Sequence, residues 1–452
     1  MTKNKLRSKN KGISILLLLA EFFCVFTGCG LISDSPSLQD PIESSVEDTR
    51  SAPIEAAYLK EIFMDYENTI PEGALEWIEY YNEMYGENSA SDVILTEEEV
   101  ASINREIIDA SADVYEMEIT GGSYTGDEVR AMIEKYSIPS ATSVRLDGSA
   151  ITYAEREQIL ANRNLESIPD EVEKRTAVII SRCSLRALPT NIGFYNAGDT
   201  YFDRIQETEL IAGFPVFVLH ESFDGEFLFV ESYYYHGWVS RNFVAYCGEV
   251  DYALFTNPEK YVTVTSTRVF ANGAVLDMGA RLPYISEESD KFYVYIPNRE
   301  DDGTMTLFKT QIPKSAAVYK SLPLTMENYY AQAFKYLGTD YGWGGAGRNI
   351  DCSGYVCAVM RSFGIYLPRN TGDQSTMDVL LTYLSGAGDE NIKSAIESSN
   401  TPTAIYRPGH VMLYLGTRGG VVYVIHASSG ANKVIVSPLT NISNITGILQ
   451  IK

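Results

Sequence analysis

The chain has 452 residues, which at about 100–200 residues per domain predicts two to four domains. Charged residues make up 21% of it and the hydrophobic set 45%, a composition that excludes wholesale disorder. The 36 Lys and Arg against 60 Asp and Glu give a net charge of −24. Nucleic acid is therefore not the expected ligand, because phosphate backbones are bound mainly by Lys and Arg. Six Cys in so long a chain form no disulfide framework.

The N-terminus, residues 1–28, has the pattern of an export signal. Basic residues dominate its start, and the apolar run from Ile13 to Phe26 is short for a membrane span. Small residues then precede Cys29, as in a bacterial lipobox. This predicts lipidation of Cys29 and an extracytoplasmic protein that is lipid-anchored to the membrane. An ordinary secretory signal or an uncleaved anchor is the alternative.

The next segments are a tether and a mainly helical region. Residues 29–53 are rich in Ser, Asp, Pro and Glu, which is typical of a solvated linker. Residues 54–190 have helical spacing of apolar residues, and we find no chemistry in them. Expected capping boxes are Thr96 with Glu99, Thr125 with Glu128 and Thr152 with Glu155, and expected core residues are Trp77, Tyr80, Tyr81 and Met84.

Short strands separated by Gly, Asp and Asn turns predict two small β-barrels, at residues 191–250 and 251–320. Gly237-Trp238-Val239 resembles the end of a bacterial SH3 domain, and the second segment looks like a more divergent copy. Trp238 is expected in the barrel core, and His220 and His236 on the surface or in a groove. The candidate strands are 214–219, 227–231, 237–239, 261–264, 267–271, 292–296 and 306–310. The sequence leaves open whether Cys183 and Cys247 pair.

Residues 321–452 have an α+β order, with helices first and antiparallel strands after. Thr325 is placed to cap a helix whose apolar face includes Leu337. A second helix is predicted from Cys352 to Phe363, with Gly364 as its stop. Strands are predicted at 410–415 and 421–427.

Cys352 is the candidate nucleophile of this region. A glycine-rich loop delivers it to the first turn of a helix that Asp351 can cap. Free N–H groups and the positive end of the helix dipole favour a thiolate there and can hold an oxyanion. Cys357 has no such loop before it and is interpreted as a buried structural cysteine.

A base for Cys352 is available in His410 and His426, which lie on consecutive predicted strands. A three-residue turn, with Gly416 facing Gly420, would place the two directly opposite each other on one face, whereas a two-residue turn would place them on opposite faces. We therefore expect the three-residue turn, with His410 as base and His426 as its partner. Unrelated strand histidines are one alternative. A metal site is another, but no ligand spacing supports it, so no metal is expected.

Five motifs run in order along this region: Tyr341-Gly-Trp-Gly-Gly345, Asp351-Cys-Ser-Gly354, Leu367-Pro-Arg369 with Thr371 and Gln374, Gly409-His-Val411 and Ile425-His-Ala427. Together they resemble the NlpC/p60 family of cell-wall cysteine peptidases, over about residues 324–452. Upstream, Gln206-Glu-Thr208 and Tyr235-His-Gly-Trp238 resemble the SH3-like modules of its γ-D-glutamyl-L-diamino acid endopeptidase subgroup. The segment 380–403 is unusual for the family. The long separation of the two histidines is also unusual, and its extra residues are expected in the loop at Gly419-Gly420.

The resemblance implies a papain-like fold in which Cys352 is the nucleophile, His410 the base and His426 the third polar residue. Tyr341 would then line the oxyanion side. Asp351 and a tyrosine of the SH3-like module would bind the free amino group of an N-terminal L-Ala. Tyr235 is our choice for that tyrosine, with Tyr233 and Tyr234 equally available. Ser353 and Arg369 are further implied substrate-binding residues.

The implied activity is hydrolysis of peptidoglycan stem peptides or muropeptides at the γ-D-glutamyl–diamino acid bond, through a thioester. We expect a monomer that requires no metal or organic cofactor. The alternatives are an amidase that cuts between muramic acid and L-Ala, and a non-catalytic wall-binding lipoprotein. The diamino acid that is accepted and the physiological role stay open.

Overall fold

The computed structural model of the protein describes residues 70–111, 114–117, 122–199 and 201–452. All of them lie in one compact unit that spans residues 65–452. The predicted signal peptide, Cys29, the tether 29–53 and residues 54–69 of the predicted helical region lie outside the described residues. Within the described ranges, no helix is long and apolar enough to cross a bilayer.

Helices in the described ranges are α1 (Glu72–Tyr85), α2 (Glu97–Ala110), α3 (Gly126–Glu134), α4 (Tyr153–Ala161), α5 (Glu249–Thr256), α6 (Met326–Phe334), α7 (Cys352–Arg361), α8 (Thr371–Gln374) and α9 (Asp389–Glu397). The three capping boxes are confirmed at the starts of α2, α3 and α4. Trp77 is buried as predicted, but the prediction for Met84 is wrong, since its side chain is 59% exposed. The buried residues of α1 all lie in its first half.

The first strands are β1 (Ser123–Thr125), β2 (Glu171–Glu173), β3 (Arg175–Ile179), β4 (Cys183–Arg186), β5 (Gln206–Leu210), β6 (Pro215–Glu221), β7 (Phe227–Ser232), β8 (Tyr235–Ser240) and β9 (Val244–Tyr246). The strands β1 and β2 pair with each other, and the other seven form an antiparallel sheet in the order β5-β4-β8-β7-β6-β3-β9. This sheet begins upstream of the predicted boundary at residue 191, because β3 pairs with β6 and β4 pairs with β5. Trp238 is fully buried, as predicted, and Cys183 and Cys247 are free thiols.

A second set of strands is β10 (Tyr261–Val264), β11 (Arg268–Ala271), β12 (Ala274–Asp277), β13 (Arg281–Glu287), β14 (Lys291–Arg299), β15 (Met305–Pro313) and β16 (Ala317–Tyr319). They form a five-stranded sheet in the order β15-β14-β13-β10-β16 and a separate hairpin of β11 and β12. Strands β12, β13 and β16 were not predicted, although the Asn272-Gly273 turn between β11 and β12, with both φ angles positive, is a hairpin signal. The assignment of residues 251–320 as a second SH3-like module stays a prediction.

The C-terminal strands are β17 (Leu381–Tyr383), β18 (Thr403–Arg407), β19 (His410–Arg418), β20 (Val421–Ser428), β21 (Lys433–Pro438) and β22 (Gly447–Gln450). They form an antiparallel sheet in the order β17-β22-β18-β19-β20-β21, and α7 packs against β19 and β20. The α+β order is thus confirmed. The unusual segment 380–403 forms β17 and α9, and Ile392 and Ile396 of α9 share a core cluster with Met412. Leu337 is exposed rather than on a buried helical face, because α6 ends at Phe334.

A buried arginine between β3 and β4 joins the seven-stranded sheet and the β11–β12 hairpin to the loop before α7. The Arg182 guanidinium forms ion pairs with Glu209 of β5 and Asp277 of β12. Its Nη2 also donates to the carbonyl oxygens of Gly345 and Asn349, both at 3.0 Å. All three charged side chains are about nine-tenths buried, so solvent cannot stabilise their charges. The arginine and the two carboxylates must therefore neutralise one another.

We predict that Arg182→Ala lowers the free energy of unfolding by about 3–5 kcal/mol, because it leaves two buried carboxylates without their main partner. Urea unfolding followed by circular dichroism measures this loss. Arg130→Ala is the matched control: it breaks an exposed pair with Asp127 and should cost about 0–1 kcal/mol. Equal losses for the two variants would contradict the prediction.

Candidate active site

The glycine-rich loop before Cys352 lies directly against strand β5. Gly344 has a φ of 56°, and a Cβ there would lie 2.9 Å from the side chain of Gln206 and 3.1 Å from the carbonyl oxygen of Glu207. The indole nitrogen of Trp343 donates to the Gln206 carbonyl oxygen at 3.1 Å. Glycine is required at position 344 both for its backbone conformation and for this close approach.

Cys352 is the first residue of α7, with Asp351 as its N-cap. The Asp351 Oδ1 accepts the N–H of Gly354 at 2.7 Å, which confirms the predicted cap. The cysteine side chain is buried, and its Sγ lies 3.7 Å from the Thr371 hydroxyl. The N–H of Val411, the residue after His410, is a hydrogen-bond donor for the thiolate form. The structure thus places the sulfur beside the first residues of β19.

Burial and a neighbouring charge oppose the predicted preference of Cys352 for the thiolate form. Burial raises the pKa of the thiol, and the Asp351 carboxylate acts in the same direction. The Thr371 hydroxyl, the Val411 N–H and Arg369 lower the pKa, but the net shift is upward. The resting sulfur is therefore a thiol at neutral pH, and its reaction needs a base.

Asp351 is the centre of a buried hydrogen-bond network. Besides the cap, its Oδ2 accepts the Gly344 N–H at 2.9 Å and the Arg369 Nη2 at 2.6 Å. Arg369 also donates from Nη1 to Ser353 at 2.9 Å and from Nε to the Thr208 hydroxyl at 2.6 Å. All three guanidinium nitrogens thus bind protein groups, and both oxygens of Asp351 are engaged. This pair holds β5, the glycine-rich loop and α7 together.

The two predicted histidines are brought together. His410 Nε2 and His426 Nδ1 share a hydrogen bond of 2.7 Å, and His426 Nε2 lies 3.1 Å from the Ser437 hydroxyl. Burial lowers the pKa of His410 to about 3, with His426 and Arg407 acting in the same direction, and burial lowers that of His426 to about 4. Both rings are therefore neutral at pH 7. Among the described residues, no hydrogen bond joins Cys352 Sγ to the His410 ring.

The predicted register of this hairpin is wrong, although the two histidines do lie on the same face of the sheet, as expected. Arg418 faces Val421, so the turn is the two-residue Gly419-Gly420, and the extra residues lengthen the strands rather than the loop. A β-bulge between Tyr414 and Gly416 then shifts the pairing by one residue. Because of this shift, His410 and His426 lie diagonally on one face instead of directly opposite each other.

Tyr235 lies beside the carboxylate of Glu207, which was not among the predicted site residues. The Tyr235 hydroxyl donates to Glu207 Oε2 at 2.5 Å, and burial raises the pKa of Glu207. In the described part of the chain, the other oxygen of Glu207 has no hydrogen-bond partner. Tyr233 and Tyr234 are buried in the core, so Tyr235 is the accessible member of the three. The residue pattern Gln206-Glu-Thr208 contained the signal, since Glu207 alternates with two buried neighbours on β5.

The other candidate residues divide between the site and the core. Tyr341 is buried and close enough to Asp351 and Cys352 for both to raise its pKa, although burial is the larger cause. Cys357 is fully buried, as predicted. His220 is buried rather than on the surface, with Nε2 at 3.1 Å from two backbone carbonyl oxygens, whereas His236 is half-buried and contacts Glu231 at 3.1 Å.

A cysteine at a helix start beside a histidine pair on an antiparallel sheet defines a papain-like α+β domain. Residues 338–446 match the model of the NlpC/P60 family, and residues 193–240 match an SH3 domain of the SH3b1 type. The chain therefore contains an NlpC/P60 domain preceded by an SH3 domain, which confirms the resemblance found in the sequence.

Two relatives illustrate this similarity. A γ-D-glutamyl-L-lysine dipeptidyl-peptidase of Bacillus cereus is 28% identical over 154 residues, or 31% of this chain. The match spans only 43% of that relative's length. Among solved structures, an NlpC/P60 endopeptidase from Photobacterium damselae subsp. piscicida matches with a TM-score of 0.68 at 19% identity, over 82% of this chain and 96% of that chain. At this identity the likeness concerns the fold alone.

The electrostatics of the site predict the effect of Asp351→Asn on the thiol. Asparagine keeps the ability to cap α7, but it removes the charge that raises the pKa of Cys352. We expect the pH midpoint for alkylation of Cys352 by iodoacetamide to shift downward. Peptide mapping by mass spectrometry separates Cys352 from the other cysteines, and Asp378→Asn is the control at an exposed aspartate. An unchanged or raised midpoint in Asp351→Asn would contradict this account.

Proposed function

We propose that the protein is a cysteine peptidase that cleaves peptidoglycan stem peptides at the γ-D-glutamyl–diamino acid bond, after a free N-terminal L-Ala-γ-D-Glu. The observation that carries this proposal is that the N–H of Val411, next to His410 at the start of β19, reaches the sulfur of Cys352 at the start of α7, while His410 shares a hydrogen bond with His426. The relative in Bacillus cereus, named for a γ-D-glutamyl-L-lysine bond, supports the choice of bond. We propose further that Cys29 is lipidated and holds a monomer outside the cytoplasmic membrane.

Catalysis starts from a neutral thiol and a neutral imidazole. His410 uses Nε2 for its bond to His426, which leaves Nδ1 for the Cys352 proton. Catalytic hydrogen bonds are often long in unliganded enzymes and tighten with substrate, so the contact between sulfur and ring forms in the complex. The low pKa of His410 keeps its lone pair available at all pH values above about 4.

The tautomers of the two rings decide whether His410 can act as a base. Its Nδ1 carries the lone pair only if Nε2–H donates to His426 Nδ1. His426 must then donate its own Nε2–H, and the hydroxyl of Ser437 is the acceptor at 3.1 Å. Ser437 of β21 thus belongs to the site as a positioning residue, and no motif in the sequence indicated it.

The reaction proceeds in two stages. Sγ of Cys352 attacks the γ-carbonyl carbon of D-Glu while His410 takes the thiol proton, and the oxyanion is held by N–H groups of the first turn of α7 and the Tyr341 hydroxyl. Collapse to the thioester expels the amine of the diamino acid, which takes the proton from His410. Water then attacks the thioester, with His410 again as base, and releases the dipeptide and the free thiol. No metal or organic cofactor takes part.

The amino group of the substrate binds at the wall formed by β5 and β8. Glu207 has a free oxygen in a partly buried site, and an ammonium group is the natural partner of such a carboxylate. Tyr235 holds Glu207 in place, and its hydroxyl contacts the same group. Asp351 and Ser353 contribute mainly through Arg369, which holds them in position, because their hydrogen-bonding capacity is largely used within the protein.

Cys352→Ala is predicted to abolish release of L-Ala-γ-D-Glu from a defined tetrapeptide such as L-Ala-γ-D-Glu-L-Lys-D-Ala, because it removes the nucleophile. Liquid chromatography with mass spectrometry identifies the fragments. Cys357→Ala, which removes a buried thiol one turn further along α7, is the control and should keep most of the activity. Retained activity in Cys352→Ala would end the proposal. Release of free L-Ala-containing peptide from N-acetylmuramoyl substrates would instead support the amidase alternative.

Glu207→Gln is predicted to raise KM for the free tetrapeptide about 10–100-fold, because a charge-assisted bond to the ammonium group is lost. Tyr235→Phe should have a smaller effect in the same direction. The N-acetylated tetrapeptide, which lacks the positive charge, is the matched substrate and should be turned over poorly by wild type and variant alike. Equal turnover of both substrates by the wild type would contradict the proposed recognition of a free amine.

A further inference from the structure

The face on which the two histidines meet depends on a single irregularity in the hairpin. From the Gly419-Gly420 turn, the pairs run regularly to Gly416, which faces Tyr423. If this regular pairing continued to the ends of the strands, the side chains of His410 and His426 would point to opposite faces of the sheet. The bulge at Leu415 shifts the pairing by one residue, so that Tyr414 faces Val424 and Leu413 faces Ile425. With this shift, the side chains of His410 and His426 point to the same face of the sheet.

Helix α1 packs directly on this bulge. A Cβ at Gly416 would lie 2.9 Å from the Tyr80 ring and 3.1 Å from the Trp77 ring. The Tyr80 hydroxyl donates to the Thr417 carbonyl oxygen. These two aromatic side chains therefore cover the bulged stretch from its outer side, with no room for a side chain at Gly416.

Further contacts fix α1 to both strands of the hairpin. The Arg418 guanidinium lies 4.2 Å from the centre of the Trp77 ring and forms an ion pair with Glu76. The Trp77 ring also contacts Tyr423 on β20, with 5.6 Å between ring centres. On its other side α1 contacts α6, where a Cβ at Gly73 would lie 2.7 Å from the Phe334 ring. The helix is thus wedged between α6 and the hairpin that carries the histidines.

We propose that α1 is a clamp that stabilises the bulge and thereby positions His410 and His426, with Trp77 and Tyr80 as positioning residues. The proposal rests on the proposed function for its kinetic readout, but not for its structural one. It assigns a role to the region before the SH3 domain: without α1, the hairpin loses the contacts that stabilise its irregular register, and the two rings separate.

The test compares Trp77→Ala, Trp77→Phe, Tyr80→Phe and Tyr81→Phe in the full chain. Tyr81→Phe is the matched control, because it removes the same hydroxyl from the next residue of α1, where the partner is the Asn400 carbonyl oxygen outside the hairpin. The first readout is the steady-state cleavage of the tetrapeptide. The second is the ring ¹⁵N spectrum of histidine-labelled protein, which contains only four histidines, each assignable by a single His→Gln variant.

We expect Trp77→Ala to lower kcat about tenfold or more with KM changed less than about twofold, because the histidine pair is misplaced while the binding wall is untouched. Trp77→Phe should recover most of kcat, and Tyr80→Phe should lower it more than Tyr81→Phe. The ring signals of His410 and His426 should shift in Trp77→Ala, whereas those of His220 and His236 stay in place.

Unshifted signals of His410 and His426 in Trp77→Ala would overturn the proposal, as would a loss of kcat in Tyr81→Phe equal to that in Tyr80→Phe. If Trp77→Ala does not fold, as shown by shifts of all four histidines, the comparison of Tyr80→Phe with Tyr81→Phe decides. If the wild type does not cleave the peptide, the proposed function fails, and the ring spectra alone still decide whether α1 holds the pair.

Discussion

The carboxylate of Asp351 is the group on which the arrangement of the site depends. One oxygen caps α7 and the other receives the Gly344 N–H and the Arg369 guanidinium, so a single side chain fixes the start of the helix, the loop before it and the arginine. Arg369 extends the network to Thr208 on β5. Because these groups are buried, loss of any partner leaves a charge or a hydrogen-bond donor without compensation. Each group in the network therefore depends on the others.

The same carboxylate sets the chemistry of Cys352. A negative charge next to a buried sulfur opposes ionisation, so the advantage of the helix N-terminus does not produce a resting thiolate. The histidine pair can supply the base that this neutral thiol needs, because burial keeps both rings neutral and leaves one nitrogen of His410 available for a proton. The sulfur of Cys352 and both imidazole rings are therefore uncharged at neutral pH, and an uncharged thiol resists oxidation, since the thiolate is the form that oxidants attack.

Much of this could be predicted from the sequence, and the failures have physical causes. The capping boxes of α2 to α4, the cap by Asp351 and the α+β order are local patterns, and all are confirmed. The predicted hairpin register was wrong for two reasons. The local signal of Gly419-Gly420, both with positive φ, was not used for the turn. The bulge lies against Trp77 and Tyr80, more than 300 residues earlier in the chain, and no local pattern indicates it. Ser437 was missed for the same reason, since only its contact with His426 on a neighbouring strand shows its role. Glu207, by contrast, lay within the recognised motif Gln206-Glu-Thr208 but was not chosen as a site residue.

The contacts between the domains imply that the binding wall and the catalytic loop move as one body. Arg182 joins β5 and β12 to the loop that precedes Cys352, and Arg369 joins β5 to Asp351 from the other side. A shift of the SH3 domain would break both buried networks, at a cost of several kcal/mol each. The distance between Glu207 and Cys352 is therefore fixed by the fold. If Glu207 binds the amino group as proposed, a fixed distance between it and the nucleophile would select substrates by length. In the proposed reaction the SH3 domain would thus limit the length of the acyl part of the substrate, the L-Ala-γ-D-Glu dipeptide that stays on Cys352 in the thioester.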